Sequence, residues 1–214
     1  SPVLRGAGSG DREWPRLQCG GQLLRREMAP RHTDRGNRPE WGPDSAASPS
    51  PVPDRVPGGY QLIVFVKNDE SLWAMGDNQY VQLGDGSTTP SFVPKQILAS
   101  GVASVSAGSA HSLFVKTDGS LWAMGRNIAG QLGDDSDIDR YSPVMVVASS
   151  VTSTSAGDRH SLYLKTDGSL WGMGVALNGA LGSGSTDEVL TPIQIIDSGV
   201  SSASAGRKHS LFLK

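Results

Sequence analysis

The chain has 214 residues, 19% of them charged, and a formal net charge of −2, so its charge gives no reason to expect a nucleic acid or an anionic membrane surface as partner. Its single cysteine, Cys19, excludes a disulfide framework within one chain, and no apolar run is long enough to span a membrane. The 27 glycines indicate many turns.

The first part of the chain, residues 1–59, differs in kind from the rest. It holds nine of the 13 prolines, and all nine of its basic residues are arginine. Its apolar residues follow neither a helical nor a strand period, so we expect 1–59 to be largely disordered. Two alternatives stay open: an Arg-rich interaction arm, or a non-native leader translated out of frame.

No apolar signal core follows Ser1, the first residue. We expect the true N-terminus to be missing. The compartment therefore stays open between a cytoplasmic and a secreted or surface location.

From residue 60 onward the chain repeats every 49 residues without insertions, as the tryptophans Trp73, Trp122 and Trp171 show. Such a period is typical of propellers and solenoids, whose units cannot bury their own faces. The second copy predicts four short strands in chain order, at 102–108, 111–116, 120–125 and 141–147. Asp118-Gly119 predicts a type I′ hairpin turn between the second and third of them.

Both faces of each predicted sheet are apolar. In the third strand, Leu121 and Ala123 point to one side and Trp122 and Met124 to the other. A sheet of this kind must be covered on both sides, as in a β-propeller of four-stranded antiparallel blades. We therefore predict an all-β propeller array of about three blades and a partial fourth, in units 60–108, 109–157, 158–206 and 207–214.

Residues 108–133, GSAHSLFVKTDGSLWAMGRNIAGQLG, carry the motifs Gly-x-x-His-Ser, Asp-Gly-x-Leu-Trp and Gly-x-Asn-x-x-Gly-Gln-Leu-Gly. With the 49-residue spacing, this set resembles the repeat of the regulator of chromosome condensation family, in a partial chain of bacterial type. The resemblance covers 60–214 and implies a propeller, commonly of seven blades. Family members include a nucleotide exchange factor for a small GTPase and a secreted inhibitor that grips an enzyme.

The copies depart from the pattern at a few positions. The first has Leu62 where His111 stands, Glu70 where Gly119 stands, and Val81 where Gly130 stands. Glu70 disfavours a type I′ turn, so we expect that hairpin to use Asn68-Asp69 or a wider loop.

The recurring residues are interpreted as structural. The histidines predict a hydrogen bond at the blade edge rather than a metal site, and the tryptophans predict core positions. No metal, cofactor or catalytic residue is predicted, and the acidic run 134–139 lacks the glycine and glutamate of a calcium loop. The structural set is Trp73, Trp122, Trp171, His111, His160, His209, Gly76, Gly125, Gly174, Gly84, Gly133 and Gly182.

The loops after the tryptophan strands differ between copies, and loops on a rigid scaffold commonly carry binding. We expect partner contacts at Tyr80, Arg126, Ile128 and Leu177, because aromatic, arginine and large apolar side chains dominate interface energetics.

The sequence thus predicts a non-catalytic protein–protein interaction module, a fragment of a longer propeller, whose protein partner it does not identify. The alternatives are nucleotide exchange on a small GTPase, or a secreted or surface propeller that binds an enzyme or glycan. Self-association through uncovered blade faces is a further alternative, because such faces are rarely left exposed.

Overall fold

A computed structural model describes residues 62–214, so the predictions for 1–59 lie outside the described residues. The described chain forms strands and one short 3₁₀ helix, Leu177–Gly179. The strands are β1 (Leu62–Val66), β2 (Leu72–Gly76), β3 (Ser91–Leu98), β4 (Val102–Ala107), β5 (His111–Lys116), β6 (Leu121–Gly125), β7 (Arg140–Val147), β8 (Val151–Ala156), β9 (His160–Lys165), β10 (Leu170–Gly174), β11 (Val189–Ile196), β12 (Ser202–Ala205) and β13 (Ser210–Leu213).

Each strand pairs antiparallel with its neighbour in sequence within four separate sheets. The second and third sheets have four strands each, β4–β7 and β8–β11, which confirms the predicted four-stranded blades. Within the described residues the first sheet has three strands, β1–β3, and the last has two, β12 and β13. We call these sheets the first to fourth blades.

The joints between blades lie at residues 99–101, 148–150 and 197–201. Strand β4 therefore belongs with β5 in the second blade, although it closes the unit 60–108 counted from the sequence. A period fixes the length of a repeat but not its starting point, because any 49-residue window contains all four strands.

The core consists of three apolar clusters, one between each pair of neighbouring blades. Leu121 and Ala123 of β6 pack with Tyr163 and Met173 of the third blade. Met124, from the opposite face of β6, packs with residues of the first blade. The predicted two-sided burial is thus the arrangement of the second and third blades, which have a described neighbour on each side.

The tryptophans lie at the margin of these clusters and not in their centre. Trp122 is half-buried, stacks on Phe114 at a ring-centroid distance of 6.3 Å, and carries the Lys116 ammonium 4.1 Å from its own ring centroid. Its indole N–H donates to Ser120 Oγ at 2.9 Å. Each tryptophan stands beside a hairpin and is partly buried, and Trp122 and Trp171 pack against the apolar clusters from that position.

The hairpin between β5 and β6 is not a type I′ turn, which would need positive φ at both Asp118 and Gly119. Only Gly119 of the two has positive φ, at 80°. The Gly119 N–H donates to Lys116 O at 2.9 Å, as in a three-residue loop with a type I turn followed by a left-handed glycine. Asp118 Oδ1 fixes this loop by accepting the Ser120 N–H at 2.8 Å.

The first blade keeps the same hairpin despite Glu70. The Glu70 N–H donates to Lys67 O at 2.9 Å, and Glu70 itself takes the left-handed conformation with φ 63°. The expected hairpin is therefore present, because Asn68-Asp69 form the centre of a type I turn within a three-residue loop. The other blades use the same loop, and Glu70 accepts a backbone strain that glycine avoids there.

The six recurring glycines at the ends of β2, β6 and β10 and in the Leu-Gly pairs have positive φ, which side chains rarely adopt. A Cβ on Gly125 would also lie 2.7 Å from Ala110 O, so this position cannot hold a larger residue without a shift of the backbone. The φ angles are 116° at Gly76, 105° at Gly125, 98° at Gly174, 67° at Gly84, 76° at Gly133 and 69° at Gly182.

Candidate partner-binding rim

Two kinds of loop meet at one end of the second and third blades, because the strands are antiparallel. The long loop after β6 begins where the short turn between β4 and β5 lies, and the Arg126 N–H donates to Ala110 O at 2.9 Å. Val175 and Arg159 make the same contact in the third blade, at 2.8 Å. We call this end the upper rim; it comprises residues 77–90, 108–110, 126–139, 157–159, 175–188 and 206–208.

A buried asparagine holds the long loop of the second blade in place. Asn127 Nδ2 donates to Asp134 Oδ1 at 2.9 Å and to Ser136 O at 2.8 Å, while its Oδ1 accepts the Leu132 N–H at 2.9 Å. Asn78 makes the corresponding contacts in the first blade, including the Leu83 N–H at 3.0 Å. The loop tips are therefore presented on a fixed base.

The third blade builds its loop differently. Ala176 replaces the asparagine and is buried, and the chain there forms the 3₁₀ helix Leu177–Gly179. Apolar packing takes the place of the amide hydrogen bonds, so the third loop differs in shape as well as in composition.

The structure brings two of the four predicted contact residues together. The guanidinium carbon of Arg126 lies 4.2 Å from the ring centroid of Tyr80, which joins the second blade to the first. Ile128 and Leu177 follow separately on successive blades, with 46% and 52% of their surfaces exposed. Along the upper rim, the Arg126 guanidinium over Tyr80 is therefore followed by two isolated apolar side chains, those of Ile128 and Leu177.

A glutamine beneath the long loops of the first and second blades makes different polar contacts in the two copies. Gln82 Nε2 donates to Asp77 Oδ2 at 3.3 Å in the first blade. In the second blade Arg126 stands at the position of Asp77, and the buried Gln131 Nε2 has no hydrogen-bond partner among the described residues. The copies share a backbone but offer different side-chain chemistry.

The acidic run 134–139 organises its own loop. Asp134 accepts from Asn127, Ser136 and Arg140, and Asp139 Oδ1 accepts the Asn127 N–H at 2.6 Å. Across residues 62–214, no group of three His, Cys, Asp or Glu side chains is placed to hold a metal ion. These carboxylates act on the loop backbone and its neighbours.

Asp85, the counterpart of Asp134 in the first blade, shows the electrostatics of such a carboxylate. Burial alone would raise its pKa, but the Lys95 ammonium and hydrogen bonds from Ser87 and Asn78 outweigh burial and lower the pKa to about 2. Asp85 is thus ionised at neutral pH and holds its loop by charge-assisted hydrogen bonds.

The repeated histidines link one blade to the next. His111 is fully buried, and its Nε2 lies 2.9 Å from Ser161 Oγ of the third blade. Ser161 Oγ donates onward to Gln131 O, back in the second blade, at 2.7 Å. His160 and Ser210 repeat the contact at 3.1 Å, so each histidine serves its own interface. His209 lies in the turn before β13, at the aligned position.

Burial sets the charge of these rings. It lowers the pKa of His111 to about 3, with a further contribution from His160. Burial also lowers the pKa of His160, against the opposing effect of Asp158. His111 is therefore neutral at physiological pH. Its Nε2 carries the proton because Ser161 Oγ gives its own to Gln131 O.

The structure adds three cations that the predicted contact set missed: Arg159, Arg207 and Lys208. They lie in the short turns between the fixed glycine and the fixed histidine, beside the long loops. The sequence signal was available, since these two variable positions read Ser-Ala, Asp-Arg and Arg-Lys in successive copies. With Leu177 they line a crevice of about 280 Å³.

A larger cleft of about 600 Å³ lies along the innermost strands β4, β8 and β12. Small side chains such as Ser106, Ser155 and Ala203 line it, and no ionisable side chain is among its lining residues. Ser106 Oγ accepts the Ala156 N–H at 3.0 Å, so these serines also join neighbouring blades. The cleft offers hydroxyl groups but no acid–base pair.

Antiparallel four-stranded sheets that share apolar faces in a row define a β-propeller architecture. The pattern of the regulator of chromosome condensation (RCC1) repeat matches residues 69–115, 118–164 and 167–213, more than half of the chain. A second pattern of the same repeat matches 102–131 and 151–179. The chain belongs to the RCC1 repeat family.

Solved structures show the same fold. Human WBSCR16 is 25% identical with a TM-score of 0.64, over 72% of this chain and 43% of that one. Prp20p from Saccharomyces cerevisiae is 22% identical with a TM-score of 0.65, over 72% and 42% of the two chains. Yeast RCC1 (Prp20) bound to Kap60 is 22% identical with a TM-score of 0.60, over 72% and 40%. The chain thus spans less than half the length of these proteins.

No curated protein sequence matches the chain significantly. Within residues 62–214, no helix is long and apolar enough to cross a membrane.

Proposed function

We propose that this chain is a non-catalytic protein-binding module and that the upper rim is its binding surface. The observation that carries the proposal is the contrast between a repeated scaffold and unlike loop tips. Asn127 fixes the base of the loop that exposes Ile128, while the corresponding loop of the third blade exposes Leu177 on a 3₁₀ helix. Exposed apolar side chains on a rigid base lose little conformational entropy when a partner covers them.

Relatives of the same fold agree with a role in protein binding. The Prp20p structure is described together with its binding to Gsp1p and histones, and yeast RCC1 has been solved in complex with Kap60. These are properties of longer proteins, and the present proposal takes from them only that such blades can dock other proteins.

Self-association through the face of the fourth blade is less well supported. Leu211 and Leu213 are each 66% exposed on that face. In the interfaces within this chain, Ser161 and Ser210 accept a hydrogen bond from the histidine of the preceding blade. A second copy stacked on the fourth blade would instead place Ile63, the residue of its first blade aligned with these serines, opposite His209. The hydrogen bond that joins blades would then have no acceptor.

The proposal is tested by affinity capture from an extract of the source organism, with the full chain as bait. We expect proteins retained by the parent chain to be lost with the double variant Ile128→Asp/Leu177→Asp. Met145→Asp is the matched control, because Met145 is 51% exposed on the outer strand β7, away from the rim loops. Equal capture by all three proteins would place the binding surface elsewhere.

A nucleotide-release assay separates this proposal from exchange activity. Candidate small GTPases loaded with labelled GDP are mixed with the full chain. We expect the spontaneous release rate to stay unchanged, even for a GTPase that binds.

A further inference from the structure

Cations follow the upper rim from blade to blade, half-buried in the case of Arg126 and exposed in the other cases. Arg126 lies on the second blade, Arg159 on the third, and Arg207 and Lys208 on the fourth. Arg126 and Arg159 are linked through the turn 108–110, since the Arg126 N–H donates to Ala110 O at 2.9 Å and the Ser109 N–H donates to Gly157 O at 3.1 Å. We call Arg126, Arg159, Arg207 and Lys208 the cationic row.

Three members of the cationic row lack a carboxylate within 4 Å in the described part of the chain. These are Arg126, Arg159 and Lys208, while Arg207 Nε lies 3.8 Å from Asp158 Oδ2. By contrast Arg140, at the start of β7 just outside the rim, is closely paired with Asp134. Among the described residues, Arg126, Arg159 and Lys208 are therefore not neutralised by a neighbouring carboxylate.

Arg126 is held in an orientation suited to recognition. Its guanidinium carbon lies over the Tyr80 ring, 4.2 Å from the ring centroid. The N–H groups of a guanidinium point outward in its plane and match the two oxygens of a carboxylate. The stacking fixes the side chain before a ligand arrives, which lowers the entropic cost of binding.

The crevice beside the third blade combines this charge with an apolar wall. Arg159, Arg207 and Lys208 line it together with Asp158 and Glu188, so its lining has an excess of positive charge. Leu177 adds an exposed aliphatic side chain. A volume of about 280 Å³ is enough for one or two side chains of an extended peptide.

We propose that the upper rim binds an acidic, extended segment of a partner protein. Its carboxylates meet Arg126, Arg159 and Lys208, and an apolar side chain packs against Leu177. This inference rests on the proposed protein-binding function and specifies the chemistry of the partner.

An acidic peptide fits these groups better than a nucleic acid does. A phosphate backbone is charged at every step and would run past Asp158 and Glu188 in the same crevice. A peptide can place neutral or apolar residues at those points. The chain also has a net charge of −2 and so has no general attraction for polyanions.

The test uses fluorescence anisotropy with the full chain and a labelled peptide of alternating Asp, Glu and Leu. A second peptide carries Asn and Gln in place of Asp and Glu. The variant Arg126→Gln/Arg159→Gln/Lys208→Gln removes the three unpaired charges of the cationic row. The control Lys67→Gln/Lys116→Gln/Lys165→Gln removes the same charge at the opposite end of the blades, and thermal unfolding shows that both variants fold.

We expect the acidic peptide to bind about tenfold more weakly to the rim variant and within about twofold of the parent affinity to the control. Equal loss in both variants, equal binding of the amide peptide, or no binding of the acidic peptide would each overturn the inference. So would a DNA duplex that binds with the same dependence on the three cations. If the inference fails but capture still depends on Ile128 and Leu177, the proposed function stands.

Discussion

His111 Nε2 and Ser161 Oγ lie 2.9 Å apart across the interface between the second and third blades. Ser161 returns the link to the second blade by donating to Gln131 O at 2.7 Å. One hydroxyl thus satisfies two buried groups of the neighbouring blade. This explains why His and Ser stand side by side in the sequence: neighbouring residues of a strand face opposite blades.

Ser161→Ala is expected to destabilise the chain by about 2 kcal/mol, because it leaves His111 Nε2 and Gln131 O buried without partners. Urea unfolding followed by circular dichroism measures the change. Ser112→Ala is the control. Ser112 donates to Gln82 O at 3.0 Å, but it has no histidine partner because Leu62 stands in the first blade at the position of His111. The control therefore leaves only Gln82 O without its hydrogen bond. Equal losses in the two variants would contradict the two-partner role of Ser161.

The free energy of unfolding should fall as the pH drops below about 6.5, the ordinary pKa of histidine. The folded chain holds the pKa of His111 at about 3, so below pH 6.5 the unfolded chain binds a proton that the folded chain excludes. At about pH 5, protonation of His111 in the unfolded chain has lowered the free energy of unfolding by about 2 kcal/mol.

His111→Leu should flatten this pH dependence between about pH 7 and 5, because it removes the titrating ring. Leucine is the residue that the first blade carries at this position, as Leu62. Some slope remains, since burial lowers the pKa of His160 in the same direction. An unchanged slope of unfolding free energy against pH would show that His111 is protonated in the folded chain.

Glu70→Gly should stabilise the chain by about 0.5–1 kcal/mol. Glu70 has φ 63°, where Gly119 and Gly168 have φ 80° and 77° in the same hairpin. The gain from relieved left-handed strain exceeds the added entropy of glycine in the unfolded chain. Urea midpoints measure it, and Gly119→Ala is the reciprocal control, expected to destabilise. A lower midpoint for Glu70→Gly would indicate that the glutamate side chain contributes more than its backbone strain costs.

Trp122→Ala should cost about 2–3 kcal/mol, less than a fully buried tryptophan, because Trp122 is half-exposed while stacked on Phe114. Lys116→Gln removes only the cation over the ring and should cost well under 1 kcal/mol. Thermal unfolding compares the two. A loss as small as that of Lys116→Gln would show that the ring adds little to the cluster between the first and second blades.

Much of the fold follows from local sequence. The strand 111–116 was predicted with the bounds that β5 has in the structure, because β-branched and aromatic residues run there between a glycine turn and Asp-Gly. The alternating apolar faces of β6 also predicted the sandwiched blades. The predicted type I′ turn was wrong, since Asp118 and Ser120 close a three-residue loop that Asp-Gly alone does not indicate.

The candidate site was predicted only in part. The variable loops predicted Arg126 as a contact residue. Its position over Tyr80, which lies 46 residues earlier in the sequence, depends on the contact between two neighbouring blades. The cations Arg159 and Lys208 were overlooked because two residues between a fixed glycine and a fixed histidine look like a simple turn. Their position beside Leu177 depends on the antiparallel strands that return both loops to one rim.

The sequence by itself determined the repeat, the four-stranded unit and the need to cover both of its faces, because these depend on periodicity and side-chain polarity within one copy. Only the tertiary structure decided where one blade ends, which serine each histidine meets, and which loops share the rim. Those features depend on contacts between copies, and a chain of near-identical repeats gives every copy the same local signals.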